Sequence, residues 1–122
     1  MAEATSLKFT EYLPAIRRRW RQEQAAWRRR RAAALQKARQ AAQILRERFT
    51  ARRVIAFGSV VRDGRFDERS DIDLAVEGLP RAHYLKAWAA ILRESEFEID
   101  LIDLEHCPPS FRERIEREGM PL

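Results

Sequence analysis

Residues 54–76, VIAFGSVVRDGRFDERSDIDLAV, decide how the rest of the chain is read. The run Val54-Ile55-Ala56-Phe57, closed by Gly58-Ser59, has the length and composition of a short buried strand. A polar connection rich in Arg, Asp and Gly follows, and then Ser70-Asp71-Ile72-Asp73-Leu74-Ala75-Val76 alternates charged and apolar residues at period two. Residues two apart on a strand share a face, so Asp71 and Asp73 stand side by side while Ile72, Leu74 and Val76 face a core. Two carboxylates held that close repel, and a divalent cation relieves the conflict. Mg²⁺ suits the site because it takes one or two carboxylates together with phosphate oxygens and water. At Gly58 the backbone can approach a ligand closely, and the Ser59 hydroxyl and exposed N–H groups can bond phosphate oxygens. The plainer alternative is a hairpin-like turn followed by a solvated acidic strand face.

Working outward, the region from about Glu11 to Thr50 contains no Gly and only Pro14, which suits a first helical turn. Leu13, Ile16, Trp20, Trp27, Ala34, Ala38, Ala41, Leu45 and Phe49 form one apolar stripe on this Arg- and Gln-rich stretch, as one long helix or two. Met1 to Thr10 is expected to fray. After the central motif, Gly78-Leu79-Pro80 marks a turn, and Arg81 to Ser95 reads as an amphipathic helix with Tyr84, Leu85, Trp88, Ile91 and Leu92 on one face. Phe97 to Leu104 (FEIDLIDL) is the next strand. Pro108-Pro109 end it, and Ser110 is a candidate cap for a closing helix that runs to about Glu118. On the FEIDLIDL strand Asp100 shares a face with Glu98, whereas Asp103 points the other way and is expected exposed at the strand's end.

A Gly-Ser turn leaving one strand and an Asp-x-Asp on the next resembles the minimal nucleotidyltransferases of the DNA polymerase beta superfamily. The resemblance covers roughly Ala51 to Leu122, and the tail Arg117-Glu118-Gly119-Met120-Pro121-Leu122 is similar to the way such domains end. The family pattern has about ten residues between Gly-Ser and Asp-x-Asp. Here positions 60–70 make eleven, and the extra residue is placed near Asp63-Gly64, in the connection. The resemblance implies an α/β (α+β) fold, a polymerase beta-like mixed sheet with helices on one side. It divides the chain into a basic helical extension, residues 1–31, and a nucleotidyltransferase domain, residues 32–122. It also implies a third carboxylate in an apolar-Asp-apolar-apolar context, matched by Ile99-Asp100-Leu101-Ile102, with Glu98 as the fallback. Asp71, Asp73 and Asp100 are thus the candidate catalytic residues and ligands of two Mg²⁺ ions, with ATP as substrate. Gly58, Ser59, Arg62 and Ser70 are the candidate nucleotide-binding residues, Arg62 by neutralising phosphate charge and Ser70 by ordering the start of the Asp strand. Arg65 and Arg69 read as solvated loop residues.

With 122 residues the chain amounts to one domain and an appendage. Cys107 is the single cysteine, so an internal disulfide is excluded, a cysteine-based zinc cluster within one chain is disfavoured, and a reducing, cytoplasmic setting fits. No apolar run is long enough for a membrane span and no signal-peptide pattern opens the chain. Net charge +5 conceals an asymmetry: residues 1–53 carry fifteen Lys and Arg against four Glu, a net +11, while residues 54–122 carry nine against fifteen acids, a net −6. A basic arm on an acidic body suggests two surfaces with different partners. His83 and His106 are isolated, Cys107 reads as packing, and Trp20 and Trp27 read as core or partner contacts. The Arg28-Arg29-Arg30-Arg31 run reads as a solvated face, whose density also suits an anionic partner. No P-loop lysine motif is present, which disfavours a Walker-type ATPase.

Minimal nucleotidyltransferases this short often accompany a helical ribonuclease of the HEPN class. The resemblance therefore implies an antitoxin that transfers AMP from ATP to a hydroxyl, often a tyrosine, of such a toxin. Two other functions stay open: an interaction module whose Arg-rich helix binds an acidic protein or nucleic acid, and nucleotidyl transfer to a small molecule. So small a body leaves an open active-site edge, which a macromolecule or a second copy of the chain is expected to complete as a homo- or hetero-oligomer.

Overall fold

The computed structural model describes residues 2–122, with side chains from residue 10 onward. Of the start expected to fray, Met1 lies outside the described residues and residues 2–9 are described only as helical backbone. One helix, α1 (Ala2–Phe49), spans the whole basic stretch. It begins earlier than expected, so Pro14 lies inside it rather than in its first turn. Proline leaves out one rung of the hydrogen-bond ladder there, an omission that a water-exposed helix tolerates better than a buried one. The 31/32 boundary falls within this continuous helix. It ends where Thr50 turns left-handed (φ 61°) and the Ala51 N–H closes on the Leu45 carbonyl at 3.1 Å.

Four strands follow: β1 (Arg53–Phe57), β2 (Ile72–Glu77), β3 (Ile99–Asp103) and the short β4 (Met120–Pro121). Helix α2 (Tyr84–Arg93) connects β2 to β3, and α3 (Pro109–Glu118) connects β3 to β4. The sheet order is β3-β2-β1-β4, with β1 antiparallel to both its neighbours and β2 parallel to β3. β4, not foreseen in the sequence, pairs Met120 with Ala56. Ser110 does not cap α3: Pro108 holds the cap position with no side-chain hydrogen bond, and Pro109 begins the helix. Proline suits that place because its fixed φ is already helical and its missing N–H would have no intrahelical partner.

The period-two pattern separates the sheet's faces. Val54, Ala56, Ile72, Leu74, Val76, Ile99 and Leu101 are buried in the main core, against α1 and α2. Ala34, Ala38, Ala41 and Ala42 bring α1 close to the sheet because their side chains are small, and Leu45 fills the end of that layer. Ile55 and Ala75 point to the opposite face, where α3 covers them with Ile115. The helices on one side of the sheet are therefore α1 and α2, and α3 takes the other. Gly119 is required where α3 meets the sheet: a Cβ there would lie 2.4 Å from Ile55 Cγ2.

Four charged side chains fasten α3 to this face. Glu77 Oε2 accepts from Arg53 and Arg112, each at 2.9 Å, and Glu116 Oε1 accepts from the same two arginines. Burial of Glu77 (19 % exposed) and its shared partners lift this network above an ordinary surface pair. Replacing Glu77 with Ala is expected to cost about 1–2 kcal/mol in urea unfolding. A loss within about 0.3 kcal/mol would mean that the network merely decorates the surface.

Candidate active site

The site is built on the sheet face that α3 only partly covers. Asp73 is the second residue of β2, and Asp71 precedes the strand by one residue rather than lying within it. In the parallel ladder Asp73 is the Cα partner of Asp100, and in the antiparallel ladder it is the partner of Phe57. The register therefore sets Asp73 and Asp100 side by side on one face. Asp73 is half-buried, Asp71 partly buried and Asp100 exposed. Burial, then the charge of Asp100, then that of Asp71 push the Asp73 carboxyl up to about 6, while Arg62 pulls the other way. Asp73 is thus within the electrostatic reach of both other acids.

Gly58 follows β1 at φ 75°, and a Cβ built there would lie 2.5 Å from Asp73 Oδ2. The Gly-Ser turn and the Asp-x-Asp strand therefore abut, and only glycine leaves room for the carboxylate. A 3-10 turn over Gly58–Val61 carries Ser59, and Arg62 follows it, exposed. Beside this turn lies a cleft of about 200 Å³ lined by Phe57, Gly58, Val61, Arg62, Phe111, Arg114, Ile115 and Glu118. Ser70 is engaged in the loop: its hydroxyl accepts from the Asp67 N–H at 3.1 Å and its own N–H donates to the Asp67 carbonyl at 3.1 Å. Asp67 also accepts from the Arg69 N–H and pairs with Arg65. Arg65 and Arg69 are exposed, as expected of loop residues.

Glu98 is exposed and precedes β3, and its carbonyl accepts the Ile72 N–H at 2.9 Å. Asp103 ends β3 but is not exposed. Its carboxylate accepts the Glu105 N–H at 3.0 Å and meets His106 Nδ1 at 2.6 Å, so His106 is tied into the turn after the strand. Two residues of the α2 apolar face do more than pack. Trp88 Nε1 donates to the Ile99 carbonyl at 2.6 Å and the Tyr84 hydroxyl donates to the Leu101 carbonyl, which fixes the free edge of the strand that carries Asp100. Enrichment in Trp and Tyr, which carry a donor on an apolar body, was the one available signal. The Arg run also divides. Arg30 donates to the Asp67 carbonyl and Arg31 to the Gly64 carbonyl, each at 3.0 Å, so these two are not a solvated face. Trp27 packs against the core, while Trp20 is 57 % exposed.

Among the described residues no three His, Cys, Asp or Glu side chains converge as a ready-made metal cage. The donor set still fits Mg²⁺: hard carboxylate oxygens, with the half-buried Asp73 held above its ordinary range by burial and then by like charge, beside a glycine that leaves space open. No helix among the described residues is long and apolar enough to cross a membrane.

Residues 39–122 match the family described as "Polymerase beta, Nucleotidyltransferase". A solved structure assigned as a minimal nucleotidyltransferase is 30 % identical, with a TM-score of 0.55 over 82 % of this chain and 96 % of that one. A second solved structure, a toxin-antitoxin crystal structure named MntA-HpeT, is 18 % identical, with a TM-score of 0.57 over 69 % of this chain and 70 % of that one, and shares the fold. No curated protein matches.

A carboxyl whose folded pKa lies above its unfolded value favours the folded state below the unfolded value and loses that advantage as pH rises through the folded one. For Asp73 that window runs from its ordinary 3.8 up to about 6. Metal-free protein should therefore lose stability across it relative to Asp73→Asn, and the variant should have the higher Tm at pH 7. Equal Tm curves from pH 4 to 7 would contradict the crowding of charge at the rim. Gly58→Ala should lower stability by about 1–2 kcal/mol, because it adds a side chain at positive φ and displaces the Asp73 carboxylate.

Proposed function

Because the chain belongs to the polymerase beta nucleotidyltransferase family, we propose that it transfers AMP from ATP to a hydroxyl, a tyrosine side chain of a HEPN-type ribonuclease toxin, and acts as that toxin's antitoxin. Family membership rests on the match over residues 39–122 and on the 30 % identical structure. The MntA-HpeT neighbour supports the toxin pairing as a proposal. The observation that carries the catalytic part is the register that sets Asp73 against Asp100, with Asp71 two residues before Asp73.

In this reading residues 32–122 are the transferase and residues 1–31 an extension. Asp71, Asp73 and Asp100 are the residues that would hold Mg²⁺, two ions in this reading. Bound there, the metal supplies positive charge to the triphosphate and the reacting α-phosphorus. Gly58 leaves the backbone open to the phosphates, the Ser59 hydroxyl donates to a phosphate oxygen, and Arg62 adds positive charge beside them. Ser70, bonded to Asp67, fixes the approach to Asp71. The acceptor oxygen forms a bond to the α-phosphorus as the bond to the β-bridging oxygen breaks. The hydroxyl proton passes to the Asp100 carboxylate and pyrophosphate leaves. Asp100 is exposed, so the acceptor can reach it without a lid opening, as a protein substrate requires.

A second reading is favoured by the arm. Tyr12, Ile16 and Trp20 are 62 %, 52 % and 57 % exposed, in a region dense in Arg. Such a surface suits an acidic protein or RNA, with or without catalysis below it.

Incubating the protein with Mg²⁺, α-labelled ATP and the product of the adjoining reading frame should label that protein. Asp73→Asn should lower the rate by at least about 10³-fold while binding persists. Absence of label with a folded parent protein would overturn the transferase assignment for that partner. If serine at Tyr12, Ile16 and Trp20 abolishes binding while Asp71→Asn leaves it intact, the arm is the docking surface. The converse pattern would remove the second reading.

A further inference from the structure

The connection between the Gly-Ser turn and the Asp-x-Asp strand has an unusual support. It is a loop of eleven residues, positions 60–70, and a loop of that length leading directly to Asp71 needs something to hold it. Phe66 anchors it from within, with no exposed surface. The rest of the grip comes from α1. Arg31 donates to the Gly64 carbonyl at 3.0 Å and pairs with Asp63 Oδ1 at 3.5 Å. The sequence reading places the connection's one extra residue near these two. Arg30 donates to the Asp67 carbonyl at 3.0 Å, the same oxygen that accepts the Ser70 N–H, and its guanidinium lies 5.0 Å above the Phe97 ring. Asp67 and Ser70 in turn bond each other one residue before Asp71.

Two features make this more than a surface contact. The Arg31 side chain is only 13 % exposed, although it carries a charge and lies in a four-arginine run. Both arginines donate to main-chain carbonyls, which fixes backbone position, and a planar guanidinium does this with less loss of freedom than an ammonium. Arg28 and Arg29, their neighbours in the run, are exposed.

We infer that Arg30 and Arg31 are positioning residues for the carboxylate site: by clamping Gly64 and Asp67 they fix the loop that delivers Asp71 to its place beside Asp73. The clamp rests on the reading of Asp71 and Asp73 as metal ligands and ties the basic helix to the reaction, apart from any partner its exposed end binds. Supports that orient metal ligands from outside typically change affinity by about 10–100-fold when removed.

The test uses the full-length protein with Mn²⁺ as the probe, its binding followed by electron paramagnetic resonance, and backbone NMR of the same samples. Arg30→Ala/Arg31→Ala should weaken Mn²⁺ binding by about tenfold. It should also shift the Asp71 amide resonance and speed exchange of amides 64–71, while Val54–Ala56 in β1 stay protected. Arg31→Lys should restore only part of the affinity, because it returns the charge without the fork. Unchanged affinity and an unmoved Asp71 resonance would overturn the clamp. Asp73→Asn separates the two ideas. If it binds Mn²⁺ as the parent does, the metal reading fails, and the clamp is then decided by the Asp71 resonance and loop exchange alone. Loss of protection throughout β1 in the double variant would also count against it, since that would mean a folding role.

Discussion

Asp73 and Asp100 face each other across a parallel ladder, and the repulsion between them is the constraint around which the rest of the structure is arranged. The sheet could avoid it with a one-residue slip of β3 against β2. That slip would turn Leu101 and Ile99 out of the core, because side chains on a strand alternate between faces. Burial of those residues with Leu74, Val76 and Ile72 thus holds the acids together against their own charge. The hydrophobic face specifies the register, and the register assembles the site. Around it, Gly58 omits the one side chain that would collide with Asp73, and Trp88 and Tyr84 hold the edge strand from its free side.

Much of this could be read from residues 54–76, because period-two alternation carries face information directly. The positions of Ile72, Leu74 and Val76 in the core, and of Asp73 on the other face, follow from that alone. Asp100 needed the family pattern to single it out from Glu98 and Asp103, and the ladder then set it against Asp73. What local pattern could not supply was pairing at a distance. β4 is two residues long and contains a proline, so it carries no strand signal of its own, and only the pairing with β1 defines it. The placement of α3 on the opposite face depends on Ile115 meeting Ile55, again a non-local fact. Asp103 was expected in solvent because it ends a strand, yet the turn that follows folds Glu105 and His106 back onto it.

The N-terminal helix shows a further limit of sequence reading. Its stripe looks uniform along the sequence, but its two ends have different fates. From Trp27 onward it seats on the sheet, and before that Ile16 and Trp20 remain exposed. Charge runs hide the same kind of division. Arg28 through Arg31 read alike, yet Arg30 and Arg31 reach main-chain carbonyls in the loop before Asp71, because positions on a helix differ in the face they occupy. A charged residue therefore has to be judged by the face it occupies as well as by the run it belongs to.

The central claim, that like charge is gathered at this rim for a cation to relieve, is tested most directly by the Asp73 carboxyl itself. Carbon-13 NMR titration of that group, without and with saturating Mg²⁺, reads the effect at the atom concerned. Without metal the carboxyl should titrate near the value of about 6 set by burial, Asp100 and Asp71, and added Mg²⁺ should drive its titration far down the pH scale. A carboxyl that titrates near the ordinary aspartate value and does not respond to Mg²⁺ would contradict the account.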